Sequence, residues 1–335
     1  MEERVKSKRV VFALGLTIVL TLVVGCAQAM PTVAPPTPTM LPPTLTPTAL
    51  PPVPTATEAP TITVVDDAGR TVEITGVPER IISLAPSNTE ILFALGLGDK
   101  VVGVTDFCDY PEEAKEIEKI GFVEPNLEKI VDLEPDLVLY IGGAAQLEKT
   151  QTMEDLGLTV LVLAPADIEG IFADIELVGR ATGSEGEAAR LVSELRARMG
   201  EVLSRVTQAE RKPLVFYELD ATDPTRPWTA GPGSFIDTLI TMAGGVNLGA
   251  SAEMEWAEFS TEEVIAQDPE IIILGDASYG VTAGSVKERP GWGVITAVKE
   301  GAIYPIDDNL VSRPGPRIVD GLEELARVIH PELFQ

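Results

Sequence analysis

Histidine occurs once and cysteine twice in these 335 residues. The single histidine, His330, stands close to the carboxyl end, where a peripheral position is expected, so a Ser-His-Asp or Cys-His apparatus has no base to draw on. Direct capture of zinc, manganese or copper normally uses several His or Cys side chains, and such a set is lacking. The spacing of the acids singles out no carboxylate-only metal site either. No Gly-x-x-x-x-Gly-Lys-Ser/Thr, no Gly-x-Gly-x-x-Gly after a strand and no His-Glu-x-x-His is present; Gly96-Leu-Gly98 follows a helix. Basic side chains are also scarce, 25 against 52 acidic, for a formal net charge of −27. Nucleic acid and anionic lipid are thereby poor partners for the folded body. Aromatics make up only 5% of the chain, so where they fall is informative.

The amino end has the order of a secretory signal: Lys6, Lys8 and Arg9, an apolar run from Val10 to Val24, then Gly25-Cys26. The run is short for a membrane span. Val23-Val24-Gly25-Cys26 resembles the bacterial lipoprotein cleavage box, in which residues 1–25 are removed and the sulfur of Cys26 is lipidated; an uncleaved anchor is the alternative. Either way the rest of the chain lies outside the cytoplasm. Residues 26–60 are dominated by Pro and Thr without apolar periodicity, which predicts an extended, solvated tether. Its Thr/Pro content permits glycosylation without requiring it. With Cys26 modified, Cys108 has no partner for a disulfide and reads as a small buried hydrophobe.

One stretch occurs twice, 134 positions apart: Asn126-Leu-Glu-Lys-Ile-Val-Asp-Leu-Glu-Pro135-Asp-Leu-Val-Leu-Tyr140 and Ser260-Thr-Glu-Glu-Val-Ile-Ala-Gln-Asp-Pro269-Glu-Ile-Ile-Ile-Leu274. Each copy has a capping residue, a short helix carrying a carboxylate two positions on (Glu128, Glu262), then Pro-acidic and an unbroken apolar run. Such runs suit parallel strands buried on both faces, and the period suits two α/β lobes. Strands are expected at 80–85, 101–104, 137–141, 159–163, 214–219, 271–274 and 302–306, with helices between them and a last helix near 316–329. Ser87 with Glu90, and Ser184 with Glu187, have capping-box spacing. From Ser184 to Val206, Leu191, Val192, Leu195, Met199, Val202, Leu203 and Val206 fall on one helical face, a helix of about 33 Å that braces the lobes. The fold class is therefore α/β: two Rossmann-like lobes with mainly parallel sheets, at 61–183 and 212–335, joined by one long backbone helix within 184–211, with a ligand cleft between the lobes.

Taken together, the lipoprotein start, Arg80-Ile-Ile-Ser-Leu-Ala-Pro-Ser-Asn-Thr-Glu90, Asp109-Tyr-Pro111, Asn126-Leu-Glu128, Pro135-Asp136, the linking helix and Arg313-Pro-Gly-Pro-Arg317 resemble the solute-binding proteins of bacterial ABC importers for vitamin B12, haem and ferric siderophores. The vitamin B12-binding branch is the nearest in pattern. The resemblance implies a monomeric binding protein that is not an enzyme, carries no cofactor of its own, and hands its ligand to an ABC permease and its ATPase. It also implies that Phe122, Trp228 and Trp256 line the cleft as aromatic ligand contacts, with Tyr110 as a fourth; the ordinary alternative for each is a half-buried core aromatic. Large rings suit the flat faces of a corrin or porphyrin. Glu128 and Glu262, one on each lobe, are implied to dock against arginines of the permease, whereas by themselves they read equally as helix-dipole compensation. Arg313 is expected to reach a carboxylate or amide of the ligand, and Arg317 to begin the last helix. The ligand so implied is a corrinoid, cobalamin or cobinamide; a ferric siderophore or haem is the alternative, disfavoured by the few arginines near the cleft. A two-lobed oxidoreductase would need Cys or His ligands that are missing.

Overall fold

Apolar runs become the interior strands of two sheets, and in both sheets every pairing is parallel. The computed structural model describes residues 60–121, 124–142 and 146–334. The chain opens with an antiparallel hairpin, β1 (Thr61–Val65) and β2 (Thr71–Thr75). The first lobe continues with β3 (Ile81–Ser83), α1 (Pro86–Ala94), β4 (Val101–Val104), α2 (Leu127–Asp132), β5 (Leu137–Ile141), α3 (Leu147–Asp155), β6 (Val160–Leu163) and α4 (Ile168–Thr182). The linking helix is α5 (Glu185–Val206). The second lobe comprises β7 (Leu214–Glu218), β8 (Trp228–Ala230), α6 (Phe235–Met242), β9 (Val246–Asn247), β10 (Trp256–Glu258), α7 (Thr261–Gln267), β11 (Ile271–Leu274), α8 (Ala283–Lys287), α9 (Thr296–Glu300), β12 (Ile303–Pro305), α10 (Asn309–Ser312) and α11 (Ile318–Ile329).

The first sheet runs β4-β3-β5-β6 and the second β9-β7-β11-β12. Counting only sheet strands, both have the order second, first, third, fourth. The sequence repeat thus occupies the same place twice: α2–β5 in one lobe and α7–β11 in the other. Its local chemistry is equally matched. Asn126 Oδ1 accepts from Lys129 N at 3.0 Å to cap α2, and Ser260 with Glu263 forms a complete capping box on α7. Because the residue before a proline is excluded from helical backbone, both helices stop there. Glu134 and Asp268, each just before its proline, take left-handed conformations with φ of 45° and 50°.

Side chains of each strand alternate between two apolar layers. On β5, Leu137 and Leu139 join the cluster under α1, α4 and α5, while Val138 and Tyr140 join the cluster on the opposite face with Ile130 and Met153. The first of these clusters continues without a break past Val192, Leu195 and Val202 of α5 to Leu239 of α6 and Leu322, Leu325 and Ile329 of α11. The linking helix is therefore packed into a core that both lobes share. Ion pairs reinforce it: Arg198 reaches Asp320 at 2.5 Å and Glu323 at 2.9 Å on α11.

Several details differ from the sequence reading. Neither expected capping box forms on α1 or α5. Helix α1 is capped at Ala85 with Pro86 in its first turn, and both Ser87 and Glu90 are buried, the latter by arginines from the other lobe. Ser184 does precede α5, but its N–H is taken by Gly179 O at 2.7 Å as α4 closes over left-handed Gly183, and its side chain caps nothing. His330 is not peripheral. It is 1% exposed, with Nε2 3.2 Å from Gly244 O. The β1–β2 hairpin, helix α4 and the β8–β10 ribbon were not read from the sequence.

Candidate functional site

Open parallel sheets place their ligands at the carboxyl ends of their strands, and the segment after β4 meets the turn after α10 there across the two lobes. The turn between α10 and α11, which follows β12, carries Arg313 and Arg317 across to the first lobe. Glu90 on α1 receives Arg317 in a two-pronged pair, Nε to Oε2 at 3.0 Å and Nη2 to Oε1 at 2.6 Å, with Arg313 Nη1 at 3.4 Å from Oε1. Glu90 is only 2% exposed, so the centre of this contact between lobes is largely buried, while Asp109 at its edge is half exposed. Arg313 also donates to Asp109 Oδ1 at 2.7 Å, in the segment after β4. Burial works against ionisation of Asp109, but the hydrogen bond and charge of Arg313 outweigh it and hold this carboxyl below its usual range. Arg313 is thus oriented by protein carboxylates, and Arg317, directly before α11, joins the lobes as well as starting the helix.

Trp228 and Trp256 are brought together on the two-stranded ribbon β8–β10. The register pairs Trp256 with Ala230 and Glu258 with Trp228. Partners in an antiparallel pair share a face, as do residues two apart on one strand, so both indoles project from the same side, diagonal neighbours about 7–8 Å apart. The other side is fastened to the sheet: Thr229, between them in alternation, is fully buried and donates its hydroxyl to Tyr217 O at 2.7 Å. Each tryptophan accordingly remains 39% exposed. Trp228 borders a hollow of about 660 Å³ at the carboxyl ends of β7, β11 and β12, lined also by Asp220, Asp276, Tyr279 and Asp308.

Tyr110 lies elsewhere. Its ring sits beneath the guanidinium of Arg317, 3.9 Å from Cζ to the ring centroid, and borders a different hollow of about 740 Å³ against α5, with Phe93, Leu191 and Leu195. Phe122 and Cys26 lie outside the described residues. Phe107, passed over in the sequence, is 44% exposed, and its carbonyl is 3.5 Å from Arg313 Nη2. Its signal was present: an aromatic three residues past a strand end and three residues before Tyr110. Glu128 and Glu262 both occupy the second position of their helices and are exposed, and among the described residues neither has an ion-pair partner. Cys108 is buried, with Thr89 and Thr105 hydroxyls each 3.2 Å from Sγ. Among the described residues no group of three or more His, Cys, Asp or Glu side chains is arranged to hold a metal ion.

Residues 81–310 match the model of the periplasmic binding protein family. An ABC transporter substrate-binding lipoprotein of Bacillus subtilis (strain 168) is 36% identical over 280 residues, covering 82% of this chain and 87% of that protein. The cobalamin-binding protein of Halobacterium salinarum is 29% identical over 279 residues, 80% of this chain and 74% of the relative. Among solved structures, the periplasmic haem-binding protein of Roseiflexus sp. RS-1 superposes with a TM-score of 0.68 at 29% identity, covering 76% of this chain and 99% of that one.

Proposed function

Because the chain belongs to the periplasmic binding protein family and is an extracytoplasmic substrate-binding protein of the vitamin B12, haem and siderophore class, we propose that its cargo is a corrinoid, cobalamin or cobinamide, held in the interlobe cleft. Substrate-binding proteins of ABC transporters work with a permease and an ATPase, so capture is followed by delivery across the membrane. The observation that carries the corrinoid reading is the pair of exposed indoles on one face of the β8–β10 ribbon. They offer flat apolar area at little entropic cost, which suits the edge and face of a large macrocycle. The cations of the cleft, Arg313 and Arg317, are already matched by Glu90 and Asp109, leaving little free positive charge for an anionic iron chelate.

In this reading Trp228, Trp256 and Phe122 contact the cargo, with Arg313 and Tyr110 as further contacts. Glu128 and Glu262 dock on the permease. Cys26 carries the lipid anchor after loss of residues 1–25, residues 26–60 form the tether, and the protein acts as a monomer without chemistry on its ligand. The lobes divide at 61–183 and 212–335, with 184–211 between them. Haem or a ferric siderophore is the second reading, favoured by the haem-binding neighbour. Equilibrating the detergent-solubilised protein with cyanocobalamin, cobinamide, haem or a ferric siderophore, then desalting and recording absorption, tests the two. Retained corrinoid at about one per chain is expected; colour only with haem or siderophore gives the site to the second reading.

A further inference from the structure

The hollow beside Trp228 is lined by three carboxylates, Asp220, Asp276 and Asp308, and by no Arg or Lys. Two of these have local partners. Asp308 accepts from Tyr217 Oη at 2.8 Å and from Ser312 Oγ at 2.8 Å, and Asp220 accepts from Thr222 N at 2.7 Å. Asp276 differs. It is 4% exposed, its Oδ2 accepts from Ala221 N at 3.0 Å, and its Oδ1 is buried without a donor. The nearby Arg289 is not available to it, being held by Glu218 with Nη2 2.7 Å from Oε1 and lying over the Trp292 ring. Burial first, and the Glu218 charge second, push the Asp276 carboxyl up to about 6, as befits a carboxylate short of donors. The backbone holds it there: a Cβ on Gly275 would come within 2.3 Å of Tyr217 Oη, so the chain passes β7 too closely for any side chain but hydrogen before turning Asp276 into the hollow.

An unfilled buried acceptor is costly, and a ligand that supplies its donor gains that energy back. The absence of any three-ligand metal arrangement among the described residues argues against a cation as the missing partner. We propose that this hollow is the subsite for amide N–H donors of the cargo, with Asp276 as its specificity-determining residue, so that the cleft admits a macrocycle edged by carboxamides and rejects the same edge carrying carboxylates. This rests on the corrinoid reading and narrows it. Asp276, buried and short of donors, disfavours a second carboxylate brought against it, whereas a primary amide presents two N–H groups and no charge.

The test is a binding titration of the full-length wild type, Asp276→Asn and Asp276→Ala, with folding checked by thermal melting. The ligands are cyanocobalamin, the set of cyanocobalamin monocarboxylic acids in which one peripheral amide is hydrolysed, and haem. Wild type should bind at least one monoacid about tenfold or more weakly than cyanocobalamin, Asp276→Ala should weaken cyanocobalamin by about tenfold, and Asp276→Asn should bring that monoacid to within about threefold of the parent. Equal affinities in all three proteins for cyanocobalamin and every monoacid overturn the subsite while leaving the corrinoid reading intact. If wild type retains haem and no corrinoid, the corrinoid reading fails. The hollow is then judged on haem: about tenfold tighter binding by Asp276→Asn upholds a carboxylate-rejecting subsite, and unchanged binding overturns it. A wild type that retains none of the ligands overturns both.

Discussion

Single side chains decide what the cleft holds and how pH acts on the fold. Trp228→Ala and Trp256→Ala should each weaken ligand binding by about 1–3 kcal/mol with the melting temperature nearly unchanged, because each ring is 39% exposed and the ribbon is fastened through Thr229 instead. A large fall in melting temperature with affinity preserved in the folded fraction would make either ring a core residue. Asp174 on α4 behaves differently. Burial, then the hydrogen bond and charge of Asp67, push its carboxyl from the ordinary 3.8 up to about 9. The folded protein therefore keeps a proton that the unfolded chain has released, and stability should fall as pH rises from about 4 to about 9, by up to about 1.4 kcal/mol per unit. Asp174→Asn keeps a donor toward Asp67 without the titration. Denaturant melts at pH 5, 7 and 9 should show a flatter dependence and higher stability at pH 9; an unchanged slope would place the titrating group elsewhere.

At the scale of elements, the lobes are joined twice, by the apolar face of α5 and by the ion cluster around Glu90. The first was visible as a 3.6-residue periodicity from Leu191 to Val206. The second was misread, because Ser87 and Glu90 have capping-box spacing but Pro86 begins α1 and Glu90 faces the second lobe. Spacing along a helix shows which residues are neighbours; it does not show which distant chain arrives beside them. Glu90→Gln removes the charge that balances Arg317 and part of Arg313 in a largely buried contact, so unfolding stability should fall by about 3–5 kcal/mol. Loss of less than about 1 kcal/mol in a urea titration would mean that Asp307 and Asp109 suffice for the two arginines.

For the molecule as a whole, two lobes of matching strand order present Glu128 and Glu262 at equivalent helix starts. A permease built from two like subunits can read both at once, and like charges at such contacts cost several kcal/mol. The double reversal Glu128→Arg with Glu262→Arg should leave cargo affinity unchanged and abolish transport in vesicles carrying the cognate permease. Loss of favourable helix-end charge alone costs at most about 1 kcal/mol per site and appears in stability. Undiminished transport by the double variant would reduce these glutamates to helix-start carboxylates.

Parallel strands, the bracing helix and the capped α2–β5 and α7–β11 units were all determined by the sequence itself, because each depends on neighbours within about a dozen residues: an apolar run, a capping side chain, a proline. The short β1–β2 hairpin and α4 obey the same local rules, since Ile62, Val64, Val72 and Ile74 alternate and Ile168, Ile171, Phe172 and Ile175 recur at helical spacing. The cleft itself was decided only in three dimensions. Which face the two tryptophans share depends on the register of β8 against β10, the seat of Arg317 depends on a carboxylate 227 positions away, and Asp276 Oδ1 is left without a donor while Glu218 holds Arg289. Those are pairings between distant segments, set when sheets and lobes close on one another, and no periodicity along the chain encodes them.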